Sequence, residues 1–248
     1  MGFRTVTEMP GNKATKENLE MLYARYKWAL QFVENKDVLE VGCGGGQGLG
    51  YLAKKARKVV GGDIDKETLS YPKEYYKDRI EIRQFGAEEL PFENNSFDVI
   101  LLFETIYYLE NPQKFLNECK RVLRGNGLVL ICQANPERPG FNKSPFTYKY
   151  YSAQEFKDFF QGFDTEVFGA FETGKGGIVS IIRNIAVKFH LIPKTMKWKG
   201  RLKRLFFGKL EEMPNEVQES MTDYEEPVLI DSPTSKNHKV LFVKAKKC

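Results

Sequence analysis

Residues 37–48 read DVLEVGCGGGQG: a short apolar run, Asp37 to Val41, then five glycines in seven positions. The run has the length and residue types of a buried strand. That much glycine follows only where the chain bends sharply or something approaches its backbone closely. "GQGLGYLAKKA" then opens a helix. A strand that delivers a glycine turn into a helix is the first unit of an alternating α/β chain, and the residues beyond it repeat the unit. "KVVGGDID" reads as a second strand and "KETLSYPKEYY" as a short helix broken at Pro72. "RIEIRQF" alternates as a third strand. "SFDVILLFET" is a fourth, almost wholly apolar over Val99–Phe103, as a strand covered on both faces requires. "NPQKFLNECKRVLRGNG" reads as a helix entering through Asn111-Pro112 and leaving at Gly125, and "LVLICQA" as a fifth strand. Five such alternations specify a parallel sheet with helices on both faces and right-handed crossovers. Ligands of such sheets bind at the carboxyl ends of the strands, where the glycine turn lies.

The flanks extend this core. "TKENLEMLYARYKWALQFVEN" carries Leu19, Leu22, Tyr23, Tyr26, Ala29, Leu30 and Val33 at helical spacing, with Thr15 as its cap. "YYSAQEFKDFFQGF" is a helix capped by Ser152 with Glu155 three residues on. "DTEVFGAF" and "HKVLFVKAKK" read as sixth and seventh strands. The reading divides the chain into an N-terminal helical segment (1–36), a Rossmann-like core (37–170), an insertion (171–235) and a last core strand (236–248). The insertion is too long for a hairpin and too apolar for a free linker, so helices over the carboxyl edge of the sheet are expected there.

Bulk properties bound the class. A chain of 248 residues with 42% hydrophobic and 29% charged residues is ordinary for a globular domain, and no apolar run approaches the length of a membrane span. The start, MGFRTVTEMPGNKATKENLE, has no apolar core of a signal peptide, and Val6 stands where a myristoylation signal has Ser or Thr. A cytoplasmic location is expected. Cys43, Cys119, Cys132 and Cys248 form no CxxC pair and the two histidines, His190 and His238, lie far apart, so no metal site is expected. The net charge of +5 is unevenly spread: residues 173–210 hold ten Lys/Arg and no acid, residues 211–231 eight acids and no base. The two blocks can neutralise each other, or the basic one can attract phosphate or a lipid surface.

Three readings of the glycine turn compete. A phosphate-cradling P-loop requires a Lys directly after the glycines, and none follows before Lys54. A dinucleotide fingerprint requires Gly-x-Gly-x-x-Gly, and Gln47 occupies the third slot after Gly42 and Gly44. The pattern present is Glu40-x-Gly42-x-Gly44-x-Gly46.

With "VVGGDIDKETL" and "FGAEELPFENNSFDVILLFETIYYLENPQKFLNECKRVLRGNGLVLI" in order behind it, this pattern resembles the class I S-adenosylmethionine-dependent methyltransferases, in their small-molecule and polysaccharide-associated branch. The resemblance covers roughly Arg25 to Cys132. It implies an α/β fold, a Rossmann-like doubly wound seven-stranded sheet, mostly parallel with the last strand antiparallel and a helical insertion between the last two strands. S-adenosylmethionine is the implied cofactor. It has a cationic sulfonium and an amino-acid tail but no phosphate, so its site needs backbone proximity, an acid for the ribose diol and an apolar slot. Gly42, Gly44 and Gly46 would admit the methionine portion, and Asp63 would take the ribose hydroxyls. Ile64 would face the adenine, Ala87 would offer its N–H to that ring, and Phe103 would close the tail end. Glu40 would orient the loop or the ammonium, and Arg25 and Tyr26 are candidates for the carboxylate. The Asp that commonly precedes Ala87 is here Gly86, so Glu88 or a backbone carbonyl would take the adenine amino group.

The acceptor is less constrained. The loop after the fourth strand, where the family often has a Glu-His pair, reads "ETIYYLE", with Tyr108 at the His position. Tyr108, Tyr107, Glu104 and His190 are the catalytic or acceptor-positioning candidates. A base assists an oxygen nucleophile, and a Tyr titrating near 10 is a poor one. The Asn/Asp-Pro-Pro-Tyr/Phe run of nucleic-acid amino methyltransferases is missing from "FETI", so no nucleic-acid partner is expected. "NPERPGFNKSPFTYKYYSAQEF" and "HLIPKTMKWKG" resemble methyltransferases found with polysaccharide or nucleotide-sugar assembly enzymes. The expected reaction is O-methylation of a small or carbohydrate-type acceptor, with N- or C-methylation, or cofactor binding without turnover, as alternatives. Trp198, Leu202, Leu205, Phe206 and Phe207, interleaved with Lys and Arg, also suit peripheral membrane contact.

Overall fold

The computed structural model describes residues 8–174, 210–232 and 234–248. Its elements are β1 (Lys13–Ala14), α1 (Lys16–Ala29), β2 (Asp37–Val41), α2 (Leu49–Ala53), β3 (Lys58–Asp63), α3 (Ser70–Tyr76), β4 (Glu81–Gln84), β5 (Phe97–Phe103), α4 (Pro112–Val122), β6 (Leu123–Ala134), α5 (Ala153–Phe159), β7 (Phe163–Glu172), β8 (Glu211–Glu212), β9 (Val228–Leu229) and β10 (His238–Lys247). One sheet runs β4-β3-β2-β5-β6-β10-β7-β9. From β4 to β6 all pairs are parallel, and β10 inserts antiparallel to both β6 and β7. The seven strands read from the sequence are thus joined by one short edge strand, β9. The chain leaves β2 toward β4 and returns to β5 on the other side. The order therefore reverses between β2 and β5, and the crevice of the doubly wound fold opens there.

Strand alternation builds two cores. On β5, Val99, Leu101 and Phe103 pack with α1, α2 and α3, while Ile100 and Leu102 pack on the other face with α4 and α5. Both faces are covered, which accounts for the unbroken apolar run in β5. Thr15 caps α1 in a reciprocal pair with Asn18, and Ser152 caps α5 with Glu155. All seven apolar positions of the first helical pattern are buried.

Two sequence expectations are corrected. Pro72 does not break α3; it lies in the first turn, where its missing N–H would have no partner within the helix. Helix α4 ends at Val122 rather than near Gly125, because Leu123 already pairs with Phe97. The residues after it form a bulge, with Asn126 left-handed at φ 62°, before pairing resumes at Val99–Leu128.

Of the insertion, residues 175–209 lie outside the described residues, and with them His190 and the interleaved aromatic and basic positions. The helices expected in the insertion fall on those residues, and the described part, 210–232, holds the short strands β8 and β9 joined by turns and irregular chain. β8 pairs with β1, Met213 N–H donates to Asn12 O at 2.8 Å, and Val217 N–H donates to Gln47 O at 2.8 Å. Four of its acids pair with bases in the N-terminal half of the chain. Glu212 pairs with Lys13, Glu216 with Arg79, Glu219 with Lys27 and Asp223 with Lys16. Glu219 also accepts from the phenols of Tyr23 and Tyr51 and is held down to about 2, by Lys27 first and then by the tyrosines. No helix among the described residues is long and apolar enough to cross a membrane.

Candidate cofactor and acceptor site

The carboxyl ends of β2 to β6 meet along one edge of the sheet. Gly42, Gly44 and Gly46 all adopt positive φ, between 54° and 74°, so the turn folds back in a form that other residues adopt only under strain. Part of the close approach is made by the protein itself. A Cβ on Gly42 would lie 2.4 Å from Thr105 Oγ1, and one on Gly48 would lie 1.7 Å from the Tyr26 ring.

Under the turn, Tyr26 Oη donates to Glu40 Oε1 at 2.7 Å, and the Tyr26 ring meets Phe103 edge-on with centroids 5.6 Å apart. Tyr26 and Phe103 are therefore the floor of the loop. With its hydroxyl given to Glu40, Tyr26 is not free to hold a ligand carboxylate as the sequence suggested. Glu40 is buried, and its second oxygen, Oε2, has no hydrogen-bond partner among the described residues. Burial pushes Glu40 up to about 7, against the opposing hydrogen bond from Tyr26 and the charge of Arg25. A buried, half-satisfied carboxylate beside a glycine turn is matched by a cationic ligand group.

Asp63, at the end of β3, accepts from Gly44 N–H at 3.0 Å and Asp65 N–H at 2.9 Å. Burial raises its affinity for the proton, and these amides oppose the rise. Next to it, Ile64 is 60% exposed, so its side chain is available to a ligand at the end of β3. Gly86 faces it: a Cβ there would meet only Ile64 Cδ1, at 3.7 Å. Ile64 and Gly86 are thus neighbours, and part-buried Ala87 follows in the chain. Glu88 accepts from Asn111 N–H at 2.7 Å through Oε1, which anchors it ahead of α4 and leaves Oε2 as its remaining acceptor.

Arg25 is buried but donates to Glu8 at 2.5 Å and to Met21 O at 3.2 Å. Neither Arg25 nor Tyr26 is a helix-surface residue. Glu104, after β5, has a left-handed backbone (φ 48°), and Tyr107 Oη donates to its carboxylate at 2.8 Å. Burial raises the pKa of Glu104 while Arg25 lowers it. The Tyr107 ring stacks on Tyr150 at 4.2 Å, and Tyr108 Oη lies 3.2 Å from Ser144 Oγ. Burial moves both phenols upward, Tyr107 the further, a direction that suits donors and walls rather than bases. Phe146 and Tyr148, 49% and 59% exposed, continue the aromatic surface. The sequence reading missed Glu8, Tyr150 and Ser144. Gln47 in the third-glycine slot was the available signal for Glu8, because its side chain donates to Glu8 O at 2.9 Å.

Residues 39–131 match the family described as "Methyltransferase domain". The domain belongs to the class I S-adenosylmethionine-dependent methyltransferases. A probable S-adenosylmethionine-dependent methyltransferase of Mycobacterium tuberculosis is 39% identical over 100 residues, covering 40% of this chain and 36% of that protein. A fatty-acid O-methyltransferase of Mycolicibacterium smegmatis is 36% identical over 107 residues, covering 42% of this chain and 39% of its own. The chain spans between about a third and a half of the length of the curated relatives it matches first. Among solved structures, an S-adenosylmethionine-dependent methyltransferase of Thermotoga maritima superposes with a TM-score of 0.60 over 94% of both chains at 16% identity, a likeness of fold. The residues of the methyltransferase domain fit this cofactor: an unpartnered buried carboxylate for an ammonium, an acid ending β3, and an exposed aliphatic side chain next to it.

Proposed function

We propose that the protein transfers a methyl group from S-adenosylmethionine to an oxygen of a small-molecule acceptor. The observation that carries the reading is Glu40, whose buried Oε2 has no partner among the described residues, beneath a turn with three left-handed glycines. In this reading Glu40 receives the cofactor's ammonium, Arg25 its carboxylate, Asp63 the ribose diol, and Ile64 with Ala87 the adenine. Bound there, the cofactor supplies an activated methyl on a sulfonium. The chain's own task is then to hold the acceptor in line and receive its proton. Glu104 is the proton acceptor, its carboxylate held by the Tyr107 phenol, and Tyr107, Tyr108 and Tyr150 wall the acceptor.

Stacked tyrosines with exposed Phe146 and Tyr148 favour an acceptor with an apolar or aromatic body. The relative named as a fatty-acid O-methyltransferase agrees with this. A carbohydrate-type acceptor is the second reading, for which the same ring faces would serve as stacking surfaces. Calorimetry with S-adenosylmethionine tests the first half: absence of binding at millimolar concentration refutes it. Mass spectrometry of one-methyl products across hydroxylated lipids, quinols, carboxylic acids and nucleotide sugars tests the second. Product only from nucleotide sugars would reverse the order of the two acceptor readings, and binding without any product would favour a non-catalytic role.

A further inference from the structure

Residues Cys43 to Gly50, the part of the molecule that must meet the cofactor, are all buried. Two surface segments lie over them. Residues 8–14 form the first, with Pro10 packed so closely on Gly45 that a Cβ there would lie 2.5 Å from Pro10 Cδ. Residues 211–217 form the second. They are sewn to each other by β1–β8, by Gly11 N–H to Met213 O at 2.9 Å and by Met213 N–H to Asn12 O at 2.8 Å. Both are clasped at Gln47, whose side chain donates to Glu8 O while its own carbonyl accepts from Val217 N–H.

One ionic contact ties this strap to the site. Arg25 is a buried guanidinium, and a buried cation requires an anion at hydrogen-bond distance. The Glu8 carboxylate, at 2.5 Å, is that anion. The charge of Glu104 also favours the cation at Arg25, without an ion pair between them. Glu8 holds the Nη2 end of the guanidinium from a surface segment, so a ligand carboxylate that takes this nitrogen displaces Glu8.

We propose that Glu8 is an internal stand-in for the cofactor's carboxylate, so that the strap is latched over the glycine turn until the cofactor displaces Glu8 from Arg25. This rests on the cofactor reading above. The latch makes the amino-acid tail of the ligand the key. A ligand with the tail releases Glu8, and a ligand without it leaves the pair intact. The protein's affinity for a tail-bearing ligand is lowered by the fraction of molecules that are latched.

The test is calorimetric titration of the full chain with S-adenosylhomocysteine, which has the tail, and 5′-methylthioadenosine, which lacks it. Glu8→Gln keeps the shape of the side chain and removes its charge. It should tighten S-adenosylhomocysteine by about tenfold, as for a latched state favoured by that factor, and leave 5′-methylthioadenosine unchanged. In an Arg25→Gln background the effect of Glu8→Gln should vanish. Amide hydrogen exchange is the second measurement: Gly11 and Met213 should lose protection when S-adenosylhomocysteine saturates the wild type. Unchanged or weaker S-adenosylhomocysteine binding by Glu8→Gln, equal changes for both ligands, or a gain of protection at Gly11 and Met213 would overturn the latch while leaving the cofactor reading in place. Failure of the wild type to bind either ligand would overturn the cofactor reading and the latch together.

Discussion

Replacing Glu40 by Gln should make the free protein more stable above neutrality and its cofactor site weaker. Burial raises Glu40 from its ordinary 4.5 to about 7, so the folded chain holds that proton more tightly than the unfolded one. The resulting stabilisation is complete below pH 4.5 and is lost as the pH rises through 7. A rise of this size corresponds to roughly 3 kcal/mol at 1.36 kcal/mol per unit. Gln escapes the cost of ionising in place but receives a weaker hydrogen bond from Tyr26, a loss of about 1 kcal/mol. Urea unfolding should therefore find Glu40→Gln about 2 kcal/mol more stable than wild type at pH 8, with the gain shrinking toward pH 5. Binding should move the other way. If the ionised carboxylate receives the ligand's ammonium, wild-type affinity for S-adenosylhomocysteine falls toward tenfold per unit below about pH 7. The Gln variant should bind more weakly at pH 8 and show no such limb. A variant less stable than wild type at pH 8, or one that keeps the wild-type pH limb, would refute both the unpartnered oxygen and its assignment to the ammonium.

Three further outcomes follow from other contacts. Gly48→Ala drives a methyl into the Tyr26 ring and should cost roughly 3 kcal/mol, a fall of about 6–12 °C in Tm by calorimetry. Tyr107→Phe removes a hydrogen bond that lowers the Glu104 pKa, so the acid limb of the pH–rate profile should move to higher pH; an unmoved limb would exclude Glu104 as the proton acceptor. Glu219→Gln removes the ion pair with Lys27 and weakens the bonds from Tyr23 and Tyr51, so amide exchange at Val217 and Ser220, whose N–H groups bond to Gln47 O and Tyr23 Oη, should accelerate at neutral pH. Since Glu219 is held down to about 2, the wild-type segment should keep its protection on acidification until well below pH 4.

The sequence by itself determined whatever depends on near neighbours. The period of two in the strands, the caps at Thr15 and Ser152, and the run of glycines with Glu40 and Asp63 at their spacing are local. They identified the sheet and its carboxyl edge, and the family resemblance they carry implied the class of cofactor. The end of α4 was misplaced because Leu123 follows its strand partner Phe97 rather than helical propensity. Only the tertiary structure decided the partners of the charged groups. Arg25 meets Glu8 and Lys27 meets Glu219, pairings over 17 and 192 residues of chain that no periodicity encodes. Among the described residues the acidic block lies along α1, α2 and the glycine turn, which its own composition does not specify. Which carboxylate is left with an unpartnered oxygen is likewise a property of packing: Tyr26 reaches one oxygen of Glu40, and nothing among the described residues reaches the other.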